Sequence, residues 1–179
     1  GLVKKGVKEI MLIAQELTYY GLDIYKERAL PKLLHALADV KGIEWIRLHY
    51  AYPSKFPLEI LDVMRERSNI CKYLDMPLQH ASNSMLKAMK RNITREDMSV
   101  LIKEIRARVP GICLRTTLIA GFPGETEDDI EELKEFLQEH RFDRVGIFSY
   151  SHEENTTAHN LVDDVPADVK AERAQSIME

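Results

Sequence analysis

Five short apolar runs alternate along the chain with longer amphipathic stretches, and this alternation restricts the fold more than any other feature. The apolar runs predict buried strands over Glu9–Ala14, Trp45–His49, Lys72–Met76, Ile112–Ala120 and Arg144–Phe148. The amphipathic stretches carry apolar residues at the three- and four-residue spacing of a helix face, and they predict helices over 29–40, 58–67, 84–90, 94–109 and 125–140. Strands that alternate with helices predict an α/β fold with a parallel sheet and right-handed crossovers.

Capping residues mark two of the predicted helix starts. Thr94 with Asp97, and Thr126 with Asp129, have the spacing at which a hydroxyl and an acid cap the free N–H groups of a helix. The dipeptide Pro110-Gly111 ends the helix that begins near Thr94, because proline cannot continue a helix and glycine tolerates the turn that follows.

Two parallel architectures fit this pattern, a doubly wound sheet and a TIM-like barrel. Polar and aromatic residues follow every predicted strand, at 15–16, 50–52, 79–80, 121–125 and 149–152. In a barrel such residues meet at one rim, where active sites lie. We therefore favour a partial TIM-like (β/α) barrel with parallel strands. Five units are too few to close a barrel, so we expect at least one further strand before Gly1.

Charge and cysteine content exclude several classes of protein. The chain has 25 Lys and Arg residues against 29 Asp and Glu residues, and a net charge of −4 argues against nucleic-acid binding through bulk charge. No apolar run is long enough to span a membrane. Cys71 and Cys113 form neither a zinc pattern nor a disulfide framework, so we expect no metal site in this chain and a reducing, cytoplasmic location.

The segment from Ile119 to Glu125 carries the strongest local motif. Its glycines, Gly121 and Gly124, permit a tight turn between a strand and a helix, which lets a ligand approach the backbone. An ordinary strand-to-helix turn explains the same residues, and chemistry alone favours that explanation. Gln79 and His80 follow another strand, and a ligand contact and local hydrogen bonding explain them about equally well.

Two groups of cations have a structural and a functional interpretation. Lys87, Lys90, Arg91 and Arg95 are better explained as a solvated helix face than as a site for an anionic partner. Arg115 lies within an apolar strand, and a buried arginine needs either an ion-pair partner or a ligand. No set of residues forms a catalytic triad, so the catalytic residues stay unknown.

Four segments occur together and in order, and their combination resembles one family. They are Leu12–Tyr25, Pro77–Ser82, Met85–Arg91 and Arg115–Thr126. The chain is similar in them to the radical S-adenosylmethionine (SAM) methylthiotransferases, and the details of the first two segments resemble the RimO branch. The resemblance covers nearly the whole chain. One departure lies at Asn155–Ala158, where many relatives have Gly-Thr-Pro-Ala.

The resemblance implies a fold, a division of the chain and a set of cofactors. It implies a partly open radical SAM barrel over residues 1–160, without its first strand, and a linker or helix over 161–179 that leads to a C-terminal TRAM domain. It also implies SAM and two 4Fe-4S clusters in the parent protein. Their cysteines, including a Cys-x-x-x-Cys-x-x-Cys motif, would precede Gly1, so we expect this fragment to be inactive alone.

The resemblance also implies a SAM site. Gln15 would recognise the amino group of SAM, Gln79 would lie near its ribose and methionine parts, and Arg115 would pair with its carboxylate. Ile119 and Gly121 belong to the strand end that lines the adenine side. Phe148 and Tyr150 belong to the last strand, whose backbone can meet adenine.

The implied reaction is radical methylthiolation of the β-carbon of an aspartate in small-subunit ribosomal protein S twelve. A tRNA adenosine methylthiotransferase of the same family is one alternative, and a TIM-type domain without radical chemistry is another. The net charge agrees with a protein substrate without excluding tRNA.

Overall fold

A computed structural model describes the whole chain from Gly1 to Glu179. Its strands are β1 (Glu9–Leu12), β2 (Trp45–Leu48), β3 (Ile70–Asp75), β4 (Cys113–Ala120) and β5 (Arg144–Ser149). Its helices are α1 (Leu30–Ala38), α2 (Glu59–Glu66), α3 (Asn83–Ala88), α4 (Arg95–Arg108), α5 (Glu127–His140) and α6 (Ala167–Met178). All five predicted strands and all five predicted helices are present, and no end differs by more than 2 residues.

The five strands form one sheet in the order β1-β2-β3-β4-β5. The registers of β1 with β2, β2 with β3 and β3 with β4 are all parallel. A doubly wound sheet reverses its strand order at a switch point, whereas neighbours in a barrel follow the chain order. The sequential order therefore confirms the partial TIM-like (β/α) fold.

Side chains alternate along the strands between a covered and an open face. In β4, every second residue is buried, and the residues between them are half-buried. In β2, Ile46 and Leu48 are buried, whereas the side chain of Trp45 is 51% exposed. This alternation is typical of strands that have one covered face.

The chain divides into two compact units, of which the first comprises residues 1–77 and 100–115. Its core consists of apolar side chains from β2, β3 and three helices, among them Leu34, Ile46, Leu61, Leu74 and Ile105. These buried residues are among the apolar residues whose spacing predicted the elements, although Met11 and Val40, at 63% and 41% exposure, are not buried.

The second unit comprises residues 78–99 and 116–179. Its buried core includes Leu78, Leu86, Leu118, Leu133 and Phe136. Residues 161–179 belong to this unit together with 116–160. A further domain beyond them stays a prediction, as does the division of the chain at residue 160.

Both predicted capping pairs are present. The N–H of Asp97 donates to Oγ1 of Thr94 (3.2 Å), and the N–H of Thr94 donates to Oδ2 of Asp97 (3.4 Å). Thr126 and Asp129 exchange the same two bonds at 3.3 and 2.9 Å. None of the helices combines the length and the apolar character that crossing a bilayer requires.

Candidate functional site

The candidate site in the second unit begins where β4 ends. Gly121 and Gly124 both have a φ of 79°, a left-handed conformation that favours glycine. The N–H of Glu125 donates to the carbonyl of Phe122 (2.9 Å), which closes the turn directly before Thr126 caps α5. We call residues 121–124 the glycine turn.

Gln79 lies beside the last part of β4. Its N–H donates to the carbonyl of Thr117 (2.9 Å), and the N–H of Ile119 donates to the carbonyl of Gln79 (2.8 Å). The φ of Gln79 is 74°, which is uncommon for a residue with a side chain. Such conformations cluster at ligand sites, where the surrounding structure holds them in place.

A cavity of about 280 Å³ lies in this unit, and two of the predicted SAM-binding residues line it. They are Gln79 and Ile119. Phe122 of the glycine turn and Leu161 contribute apolar surface to the same cavity. The structure thus brings together residues from the segments after β3 and at the end of β4.

Lys90 and Arg91 also line this cavity, which the sequence analysis missed. Lys90 is exposed and Arg91 is half-buried, so their position at the cavity is compatible with a solvated face. Arg95, from the same cluster, instead lies 3.6 Å from Glu135 and 3.9 Å from Glu132. Their position in the chain was the available signal, because Lys90 and Arg91 follow α3, which begins shortly after Gln79.

The other predicted residues of this unit, Gly121, Phe148 and Tyr150, do not line the cavity. The N–H of Tyr150 donates to the carbonyl of Ala120 (2.8 Å), and its ring meets that of Phe122 edge-on at 5.1 Å. Gly121 faces α6, since a Cβ placed there would lie 2.2 Å from Cγ of Lys170. Phe148 is 60% exposed. Ligand contacts of Gly121, Phe148 and Tyr150 stay predictions.

His80 forms part of the buried structure beneath the turn. Its Nδ1 accepts a hydrogen bond from the N–H of Ser82 (3.0 Å), so in the neutral ring the proton is on Nε2. Nε2 lies 3.4 Å from Oε2 of Glu125, and both side chains are fully buried. Neither atom has a partner in good hydrogen-bond geometry. Because His80 is buried, we interpret it as a structural residue and not as a ligand contact.

Asp129 ties the start of α5 to the segment that leads into α3. Its carboxylate accepts hydrogen bonds from the hydroxyls of Ser82 and Ser84 and from the N–H of Thr126. Burial by itself would raise the pKa of Asp129, but these hydrogen bonds outweigh burial and lower the pKa to about 2. The carboxylate is therefore ionised at neutral pH.

Arg115 and Gln15 both belong to the first unit. Nη1 of Arg115 donates to Oδ1 of Asp75 (2.6 Å), and this bond is the main reason that the pKa of Arg115 is raised. Nδ1 of His49 lies 3.6 Å from Oδ2 of the same aspartate. The ion pair with Asp75 therefore explains why an arginine is tolerated within this apolar strand. Gln15 is exposed, and SAM contacts of both residues stay predictions.

The cysteines have the environment of packing residues. Cys71 and Cys113 are half-buried and form no disulfide, and burial raises the pKa of Cys71. No three His, Cys, Asp or Glu side chains of the chain converge as metal ligands would.

Residues 1–137 match the family model described as the radical SAM superfamily. The chain belongs to the radical SAM superfamily. The resemblance to methylthiotransferases is also confirmed. The chain is 62% identical over 179 residues to the ribosomal protein uS12 methylthiotransferase RimO of Flavobacterium psychrophilum, covering 100% of this chain and 41% of that protein. It is 55% identical over 179 residues to the protein of the same name from Bacteroides thetaiotaomicron, covering 99% of this chain and 41% of that protein.

The chain therefore spans less than half of the length of these curated relatives. Solved structures of radical SAM enzymes share its fold. Coproporphyrinogen III oxidase (HemN) from Escherichia coli matches with a TM-score of 0.72 and 21% identity, over 96% of this chain and 39% of that one. The methyltransferase TsrM from Kitasatospora setae, with cobalamin and a [4Fe-4S] cluster bound, matches with a TM-score of 0.62 and 19% identity. The match covers 83% of this chain and 28% of TsrM. At these identities the likeness shows the fold alone.

Proposed function

We propose that the cavity of the second unit binds SAM, and that the complete protein methylthiolates the β-carbon of an aspartate in ribosomal protein S twelve. The observation that carries the first part is the position of Gln79 and Ile119. Both were assigned to SAM from sequence motifs alone, and both line one cavity. The second part rests on the high identity to RimO proteins.

The residues of this cavity have the chemistry that SAM requires. Its volume of about 280 Å³ is just below the roughly 300–1,000 Å³ typical of small-molecule sites. Ile119 and Phe122 offer apolar surface to an adenine ring, and the amide of Gln79 can bond ribose hydroxyls. We assign the carboxylate of SAM to Arg91, whose planar guanidinium suits it. Arg115, which is paired with Asp75, is the second candidate.

An iron–sulfur cluster does not fit the residues of this chain, because it offers two half-buried thiols and no converging ligands. We propose that the complete protein holds two 4Fe-4S clusters through cysteines outside this chain. A reduced cluster supplies the electron that cleaves SAM in radical SAM chemistry. The role of the residues described here is to bind and orient SAM.

The proposed partner is ribosomal protein S twelve, and the proposed location is the cytoplasm. The net charge of −4 offers little bulk attraction for a nucleic acid, which favours a protein substrate over tRNA. The test uses the complete protein with its clusters, SAM, and either purified S twelve or tRNA. Gain of a methylthio group by S twelve, detected by mass spectrometry, supports the proposal. Its gain by tRNA adenosine alone contradicts the proposed substrate.

The SAM site is tested by calorimetry with S-adenosylhomocysteine, a stable analogue that keeps the adenine, ribose and carboxylate. We expect Arg91→Ala to weaken binding about tenfold or more, as loss of a hydrogen bond between charged groups does. Lys87→Ala is the matched control, because Lys87 belongs to the same basic cluster but does not line the cavity. Equal affinity of the two variants would contradict the assignment of Arg91.

A further inference from the structure

The glycine turn is contacted by residues of the segment 161–179, which was predicted to be a linker or helix. The N–H of Gly124 donates to Oδ1 of Asp164 (2.8 Å). On the other side of the turn, the side chain of Lys170 packs against Gly121, where a Cβ would lie 2.2 Å from Cγ of the lysine. We call residues 163–173, which include both contacts, the clasp segment.

The clasp segment also binds the acid that follows the turn. Oε1 of Glu125 accepts from the N–H of Gly121 (2.8 Å) and from Nη1 of Arg173 (3.1 Å). The same Nη1 donates to the carbonyl of Glu125 (3.0 Å), and Nε of Arg173 donates to Oε1 of Glu127 (2.9 Å). One arginine of α6 thus fixes both the side chain and the backbone of Glu125.

Burial makes these contacts specific. Glu125 is 5% exposed, Lys170 is 7% exposed and Arg173 is 8% exposed. Charged groups at such depth are retained only when they are paired and hydrogen-bonded. Nζ of Lys170 meets this condition through both carboxylate oxygens of Asp163 (2.7 Å each). The clasp segment therefore has one preferred arrangement against the turn.

The turn held in this way forms part of the cavity wall. Phe122, between the two glycines, lines the cavity, and so does Ile119 two residues before Gly121. Leu161, which lines the same cavity, precedes Asp163 by two residues. A shift of the clasp segment would therefore move two parts of the cavity wall, the one at the glycine turn and the one at Leu161.

We propose that Arg173 and Asp164 are positioning residues that hold the glycine turn in the shape required for SAM. This inference rests on the proposed SAM site. Neither residue lines the cavity, so both act through the turn. The proposed role gives the clasp segment a function in ligand binding, in addition to any function as a linker.

The test measures S-adenosylhomocysteine binding and hydrogen exchange on the same set of variants of the complete protein. We expect Arg173→Ala to weaken binding about tenfold, since a displacement near 1 Å is costly at a shaped site. We also expect faster amide exchange over residues 119–126. Asp164→Ala, at an exposed position, is expected to show the same two changes to a smaller extent and to stay folded. Arg173→Lys should recover part of the affinity, because one donor to Glu125 is kept.

Arg95→Ala is the matched control. Arg95 also pairs with glutamates of α5, at Glu132 and Glu135, but it does not contact the glycine turn. If Arg173→Ala and Asp164→Ala bind the analogue as Arg95→Ala does, the positioning role is overturned while the SAM site stands. If the unaltered complete protein does not bind the analogue at all, the SAM site fails and the inference fails with it.

Discussion

The segments that follow β4 and β1 differ in how the chain holds them. After β4, the N–H groups of Gly121 and Gly124 both donate to carboxylates, and Phe122 is 5% exposed. After β1, residues 13–29 leave Ile13 and Ile24 each 66% exposed. The first segment is fixed by its own unit, whereas the second presents apolar surface to solvent. Of the residues assigned to SAM, Gln79 and Ile119 line a cavity beside the segment after β4, whereas Gln15 lies in the exposed segment after β1.

The largest effect is expected from Glu125→Ala, which removes the acid at the centre of the fixed segment. It removes the buried carboxylate and leaves Arg173 only the exposed carboxylate of Glu127, and breaking a buried pair costs about 3–5 kcal/mol. Denaturant unfolding would measure this loss of free energy. Glu131→Ala, which removes an exposed pair with Lys134, is the control and should cost about 0–1 kcal/mol. Similar losses of unfolding free energy for the two variants would show that the segment after β4 is not held by Glu125 as described.

Gly121→Ala should have the next largest effect. Gly121 and Gly124 share a φ of 79°, so alanine costs about 1–2 kcal/mol at either position. Only at Gly121 does the new methyl group meet Lys170, and overpacking adds about 1–3 kcal/mol. Thermal unfolding of the two alanine variants would isolate this second contribution. Equal destabilisation would show that α6 does not press on the turn.

Asp129→Asn should have a smaller, pH-dependent effect. The folded pKa of Asp129 is about 2 against an ordinary value of 3.8, so its contribution to stability is complete above pH 3.8 and is lost as the pH falls through about 2. We expect asparagine to lower the free energy of unfolding by about 1–2 kcal/mol at pH 7. Urea unfolding at pH 7 and at pH 2.5 measures the difference, which should shrink at the lower pH. A difference that is constant with pH would contradict the role given to the ionised carboxylate.

The smallest effect is expected in the open segment. Ile24→Ser alters a side chain that is 66% exposed, and such surface changes stay within about 0.5 kcal/mol. Denaturant unfolding provides the measurement. A loss above 1 kcal/mol would mean that the segment after β1 is packed more tightly than its exposure indicates.

The sequence was sufficient to predict the elements of the fold and the ends of two helices. Apolar spacing predicted every strand, and the pairs Thr94–Asp97 and Thr126–Asp129 predicted two caps, because these interactions join residues within one turn of the chain. The choice between a barrel and a doubly wound sheet needed the strand order, which periodicity does not contain.

The site was harder to predict because its contacts join distant residues. Arg173 lies 48 positions from Glu125, and no local pattern connects them. His80 and Glu125 were each considered separately, although their side chains meet in the buried structure. Lys90 and Arg91 were grouped with Lys87 because charge alone does not distinguish a cavity wall from a solvated helix face.

The most direct test of the SAM site is an NMR titration of the isotope-labelled chain with S-adenosylhomocysteine. We expect chemical-shift changes centred on Gln79, Arg91, Ile119 and Phe122 in the second unit. Changes confined to the surroundings of Gln15 and Arg115, or no changes at saturating analogue, would contradict this expectation.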